Sequence, residues 1–228
     1  MLHYILEVFI SLIKGLPYTL LIMAVGFIIG SIIGFILSLL RLYKVFFFSW
    51  LAGIYVSFFR GTPLLVQILI AYQGLPLLLR DTSIYPYIRD LGAIYYVLFV
   101  YVLYSSAYLS EIFRSALLSV PHSQMEASYS VGMSTPKALI HVIIPQALSN
   151  AMPNLSNFII LLIKDTSLAS IATIPEIMGL VNQEIANTRS VFTVFLVAAV
   201  IYWVISVVLE KTFNKLEKRH SLHKRKIS

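Results

Sequence analysis

Four apolar runs, residues 17–40, 91–110, 143–163 and 190–210, each come close to the 20 or so residues needed to cross the hydrocarbon core of a bilayer. Nothing else in the sequence restricts the fold as strongly. Inside hydrocarbon every backbone N–H and C=O must be satisfied within its own segment, so spans of this kind are helices. The chain therefore reads as an all-α integral membrane protein, in keeping with 59% hydrophobic and only 12% charged residues among 228. A fifth apolar stretch, 45–79, is too long for one straight span and carries Arg60, Gly61, Thr62 and Pro63 in its middle. It is one broken span or two.

Charge decides between these. Lys and Arg in short loops stay on the cytoplasmic side, and they cluster in three places: the tail 211–228 (Lys211, Lys215, Lys218, Arg219, Lys224, Arg225, Lys226), the loop after the first span (Arg41, Lys44) and the polar insert before the fourth (Arg114, Lys137). If all three face the cytoplasm, 45–79 crosses once, at about 51–74. Five transmembrane helices follow in a single domain, 1–228, with the N-terminus outside and the C-terminus cytoplasmic. Arg80 and Arg89 fall outside, each beside an acid, Asp81 and Asp90. The residues before the first span lack a basic leader, and Glu7 and Lys14 interrupt their apolar run. That pattern suits a short external amphipathic helix better than a cleaved signal. The net charge of +7 sits mostly in the tail, where membrane orientation and contact with anionic lipid explain it better than nucleic acid does.

No catalytic pattern is present. The chain has no cysteine, its five histidines are scattered, and no GxxxxGK[ST], HExxH or GxSxG occurs. No catalytic residue or metal ligand is expected, and any nucleotide hydrolysis belongs to another subunit. Gly26, Gly30 and Gly34 recur every fourth residue, lining one face of the first span for close helix packing. The many tyrosines read first as interface anchors.

The insert, about 111–142, is polar and helix-prone. Pro121 ends the helix of the third span, and Ser123 with Glu126 matches a capping box. A short helix over 126–131 is expected to stop at Gly132 in a left-handed conformation. Ser134 or Thr135 followed by Pro136 starts a second helix. Such an elbow, with small side chains at Ala127, Ser128 and Ser130, could seat in a groove of a partner, or it could rest on the bilayer as an amphipathic loop. Intramembrane polar groups are costly and mark functional candidates: Arg60, Gln67, Lys164 and Asp165. They could contact a substrate or form an ion-pair network between subunits. Lys164 and Asp165 diverge by about 100° on a helix and cannot pair directly. Asn154 and Asn157 share a face and could line a path or bond between helices. Residues 166–189 cannot cross and form a partly inserted loop with a short helix opened by Pro175–Glu176; Glu184 and Arg189 remain for docking or for simple exposure.

Three blocks together resemble the permease subunits of polar amino acid ABC importers: FRGTPLLVQ from Phe59 to Gln67; Ala107–Tyr108, Glu111, Arg114, Ser119–Pro121, Glu126–Ala127 and Gly132–Met133; and KDTSL from Lys164 to Leu168. The resemblance covers nearly the whole chain, with Pro145–Gln146–Ala147 continuing it. Ser128, Ile144 and Asn150 depart from the usual residues. It implies the type I importer permease fold with a cytoplasmic coupling helix (Glu126, Ala127, Ser128, Gly132, Met133) and a bacterial cell-membrane location. It further implies a substrate path that includes Arg60, Thr62, Gln67, Asn157, Lys164, Asp165, Thr166 and Ser167. The partners implied are an ABC ATPase dimer carrying ATP and magnesium, an extracellular or periplasmic binding protein, and a second permease subunit, identical or paralogous. The blocks at Tyr72–Pro76, Thr188–Thr193 and Ile201–Trp203 look most like L-cystine permeases, with glutamine or another polar amino acid as the alternative. An ATP-independent channel or secondary transporter would have no use for the elbow.

Overall fold

The computed structural model describes residues 2–225, with side chains described for 2–215; the basic side chains of Lys218, Arg219, Lys224, Arg225 and Lys226 lie outside that range. All regular structure among the described residues is helical. In chain order it comprises α1 (Leu2–Ile13), α2 (Leu16–Leu42), α3 (Phe46–Gly61), α4 (Leu64–Leu69), a π-turn (Ile70–Gly74), α5 (Leu75–Leu78), α6 (Tyr85–Arg89) and α7 (Ala93–Leu118). Then follow α8 (His122–Ser130), α9 (Thr135–Ala138), a second π-turn (Leu139–Ile143), α10 (Ile144–Asp165), a 3₁₀ segment (Thr166–Ala172), α11 (Ile177–Thr188) and α12 (Val191–Arg225). Four continuous stretches are long and apolar enough to cross a membrane, and α3 with α4–α5 makes a fifth, bent by 105°.

The glycine face of α2 organises the bundle. A Cβ on Gly30 would lie 2.7 Å from Ser105 Cβ, one on Gly34 2.8 Å from the Ser106 carbonyl, and one on Gly26 3.3 Å from Tyr101 Cβ. The contacts advance together along both helices, so α2 and α7 run parallel with backbones almost touching. The far ends of α2 and α7 therefore lie on one side of the membrane. Because α3 leaves that side and the Tyr72 ring stands 6.0 Å from Tyr96 near the start of α7, the two ends of 45–79 lie at opposite ends of the α2–α7 pair.

The break within that crossing has a local cause. Thr62 is extended (φ −111°, ψ 142°) and followed by Pro63 (φ −62°, ψ 134°), the geometry that a proline imposes on its predecessor. Prolines also explain both π-turns. Pro76 and Pro145 each follow a turn whose last bond reaches five residues back, from the Leu75 N–H to the Ile70 carbonyl and from the Ile144 N–H to the Leu139 carbonyl. Widening the helix there relieves the clash of the proline ring with the preceding turn.

A smaller apolar cluster covers the end of the bundle where α2 begins. Val8 and Leu12 of α1 pack with Ile177 and Val181 of α11 and Val194, Val197, Ala198 and Ile201 of α12, so the leading helix is a packed amphipathic element, as its sequence suggested. In the loop between α5 and α7 the Arg89 Nε and Nη2 donate to both Asp90 oxygens, at 2.8 and 3.2 Å. This bond holds the Asp90 carboxyl below its ordinary pKa and offsets the one cation there that faces its acid squarely.

The capping box at Ser123 and Glu126 does not form. Helix α8 starts earlier, at His122, with Pro121 as its extended cap residue and no side-chain cap bond. Ser123 thus sits inside the first turn, where it cannot act as a cap.

Substituting Gly30→Ala should destabilise the protein by about 1–3 kcal/mol by overpacking the α2–α7 seam. Gly53→Ala, where a Cβ meets nothing within 4 Å, should leave it unchanged. Melting temperatures of the detergent-purified protein distinguish the two.

Candidate functional site

Helix α7 carries Tyr101, Tyr104, Tyr108 and Glu111 at intervals of three, four and three residues, which places them along one face. At one end the Tyr101 hydroxyl donates to the Asp165 carbonyl at 2.6 Å, and the Tyr104 hydroxyl donates to Asp165 Oδ2 at 3.1 Å. Tyr104 and Tyr108 are 4.7 Å apart, and Tyr108 stacks on Phe158 of α10 at 5.8 Å. At the other end Glu111 meets three arginines. Arg41 Nη1 lies 2.5 Å from Oε1, Arg114 donates to Oε2 from Nε and Nη2 at 3.1 and 3.0 Å, and Arg60 Nη1 stands 3.8 Å from Oε1. The Arg60 guanidinium also lies over the Tyr108 ring, 5.5 Å from its centre. A ladder of rings thus joins an acid to a cluster of cations, with Tyr101 and Glu111 about 15 Å apart along the helix.

The broken span lies beside this face. Deleting helical bonds at a break frees carbonyls, and the Gln67 amide occupies them: its Nε2 donates to the Phe59 carbonyl at 3.0 Å, the Thr62 carbonyl at 3.0 Å and Thr62 Oγ1 at 2.8 Å. Gln67 is buried. Both Thr62 and Gln67 are therefore placed at the hinge, where they hold its shape.

Helix α10 presents Asn154, Asn157, Leu161 and Lys164 on an exposed face. Lys164 and Ser167 open on a cavity of about 310 Å³ completed by Met178, Phe195, Ala198, Ala199 and Tyr202. Asp165 turns the other way, toward Tyr104, so it and Lys164 do not pair. Thr166 is buried and spends its hydroxyl on the Ile163 carbonyl at 2.7 Å. Behind the cavity Glu176 caps α11, accepting from the N–H groups of Met178 and Gly179 at 2.9 and 2.7 Å and from the Tyr202 hydroxyl at 3.0 Å. It is fully buried, which pins the start of α11 to the last span. Glu184 accepts from Ser11 on α1 at 3.2 Å, and Arg189 follows it at the left-handed end of α11 (φ 56°).

The polar insert is an elbow. Met133 N–H donates to the Ser128 carbonyl at 3.0 Å and Gly132 N–H to the Tyr129 carbonyl at 2.9 Å, the paired bonds of a Schellman ending. Gly132 has φ +79°, a conformation that a side chain would strain. Glu126, Ala127 and Ser130 are exposed, along with Tyr129 and Val131. Ser128 is instead 4% exposed and bonds the Gln124 carbonyl at 2.7 Å, so it faces the chain and not a partner. Gln146 braces the elbow against α10, bonding Gln124 Oε1 and the Val142 carbonyl.

Residues 26–221 match the family of binding-protein-dependent transport system inner membrane components. The chain belongs to that family. It is 38% identical to a probable amino-acid ABC transporter permease protein, PatM, of Vibrio harveyi, over 92% of this chain and 91% of that one. It is 39% identical to the L-cystine transport system permease protein TcyB of Bacillus subtilis, over 90% and 84%. In fold it matches a chain of the crystal structure of an amino acid ABC transporter with histidines, with a TM-score of 0.80 and 29% identity, covering 92% of this chain and 94% of that one. It is thus a multi-pass inner-membrane permease with the type I ABC importer fold, a path-forming component and not an enzyme.

Three residues of the permease escaped selection as site residues in the sequence: Tyr104, Tyr108 and Glu111. Their spacing on α7 was the available signal. Replacing Gln67 by Leu would strand the Phe59 and Thr62 carbonyls at the break, at about 1–3 kcal/mol for each one left unpaired. The melting temperature of the purified permease should fall accordingly, and Gln67→Glu, which loses the donors but keeps the shape, should lower it as well.

Proposed function

We propose that the chain forms the translocation path of an ATP-driven importer of polar amino acids, with L-cystine as the favoured cargo. The observation that carries this reading is the exposed row Asn154, Asn157 and Lys164. The exposed face of α12, by contrast, is apolar, with Phe195, Leu196, Val200, Trp203 and Val204. Amides and an ammonium facing lipid would be costly, so this row faces a water-filled path, shared with a second permease subunit that is a copy or a close paralogue. Lys164 and Ser167 offer donors to a substrate carboxylate on the α12 side of α10, while Arg60 offers donors, and Asp165 an acceptor for an ammonium, along the tyrosine row of α7.

The elbow receives the force. ATP and magnesium bind a dimer of partner ATPases beneath the cytoplasmic face, whose grooves take Glu126, Ala127 and the Gly132–Met133 corner. An external binding protein delivers cargo to the outer hairpin near Glu184 and Arg189. Closing of the ATPases moves α8 and α9, and with them α7 and α10, alternating access to the path. L-cystine is favoured by the 39% identity to a permease of an L-cystine system and by the paired cationic groups, which suit a cargo with two carboxylates. Glutamine is the second reading, because a single carboxylate uses the same groups.

Uptake by membranes carrying the full complex tests this. Labelled L-cystine uptake should require ATP and be displaced by excess cystine far better than by glutamine, histidine or arginine; preference for arginine would overturn the cystine reading. Gly132→Pro, which cannot adopt φ +79° and lacks the N–H bonded to Tyr129, should insert normally yet abolish substrate-stimulated ATP hydrolysis.

A further inference from the structure

The three arginines around Glu111 are unequal. Arg41 makes the closest contact, at 2.5 Å with both side chains about one-fifth exposed, and Arg114 binds the other oxygen through two nitrogens. Arg60 stands off at 3.8 Å with 45% of its side chain exposed, and its guanidinium makes no hydrogen bond among the described residues. An ion pair so open contributes little. The Oε1 atom it approaches is already taken by Arg41. One carboxylate facing three guanidiniums leaves two positive charges uncompensated, so the cluster favours a second carboxylate. Arg60 can supply the paired donors that carboxylates prefer.

Arg60 is also the one placed to move. It ends α3 immediately before the break, Gly61 has nothing within 4 Å of where a Cβ would be, and the two halves of the span meet at 105°. Glu111 is held on α7 by Arg41 from α2 and by Arg114 from its own helix. A change of angle at the break therefore shifts Arg60 against a fixed carboxylate.

We propose that Glu111 is a positioning residue for substrate release: it competes with the substrate carboxylate for Arg60 and reclaims that guanidinium as the path opens toward the cytoplasm. This deepens, and rests on, the reading of the chain as a path for amino acids. Arg60 receives the carboxylate and Tyr108 provides the surface over which it swings. The selected cargo is then carboxylate-bearing amino acids, and amines without a carboxylate do not feel the competition.

The test is equilibrium binding to the purified permease–ATPase complex without binding protein, using labelled L-cystine and L-glutamine, with cystamine as the probe lacking carboxylates. Glu111→Gln should tighten binding of both amino acids by about two- to fivefold, the shift that removing so open a competing contact can give. It should leave cystamine unchanged and slow ATP-driven uptake in the reconstituted system. Glu111→Asp, which keeps the charge but withdraws the carboxylate, should shift both readings in the same direction by less, and it serves if the Gln variant fails to assemble. Amino acid affinity that is unchanged or weakened, or a shift shared equally by cystamine, would overturn the proposal while leaving the path reading intact. Failure of the wild-type complex to bind either amino acid would overturn both.

Discussion

The close approach of α2 and α7 is the contact on which the rest of the bundle depends. Three glycines spaced one turn apart leave no room for a side chain between these helices, so α7 is fixed in both rotation and depth. With one face of α7 committed to α2, its tyrosine and glutamate row must point toward α10 and the broken span. Arg41, at the end of α2, is brought to Glu111 by the same registration. The seam, which buries Ser105, Ser106 and Ser110 against the glycines, thus decides which polar groups meet.

Around that rigid pair stand two elements with less to hold them. The broken span is tied by one amide, Gln67, bonded across its break, and by the Tyr55 hydroxyl, which donates to the Leu103 carbonyl at 2.9 Å. The elbow between α8 and α9 is held by backbone bonds and by Gln146. Both contain a position where the helix cannot continue, Pro63 in one and Gly132 in the other. A permease that alternates access needs joints of this sort beside a part that does not deform, and the joints flank the row from Asp165 to Glu111.

Much of this architecture is legible in the order of the residues. Spacing alone identifies Gly26, Gly30 and Gly34 as a packing face, Gly-Thr-Pro as a break and Gly132 as a left-handed corner, because each is dictated by local stereochemistry. The divergence of Lys164 from Asp165 follows from helix geometry in the same way. Tertiary partners are not legible. Nothing local says that Arg60 and Arg41 converge on Glu111, that Glu176 is buried beneath Tyr202, or that Ser128 turns inward while Ala127 faces out. The capping box fails because Pro121 already sets the start of α8, so Ser123 arrives too late to cap it. The tyrosines of α7 are obscured by their number, since in a chain with 14 of them an interfacial role is the ordinary expectation.

On the proposed function, the Asn154–Asn157–Lys164 face of α10 borders water and changes access with the nucleotide state. The chain has no cysteine, so a single Asn157→Cys can be labelled cleanly in the assembled complex with a membrane-impermeant thiol reagent. Its labelling rate from the cytoplasmic side should differ severalfold between nucleotide-free and ATP-trapped complexes, while Val204→Cys on the apolar face of α12 should stay unreactive in both. Equal protection of Asn157→Cys and Val204→Cys in every state would place that face against lipid and contradict the account.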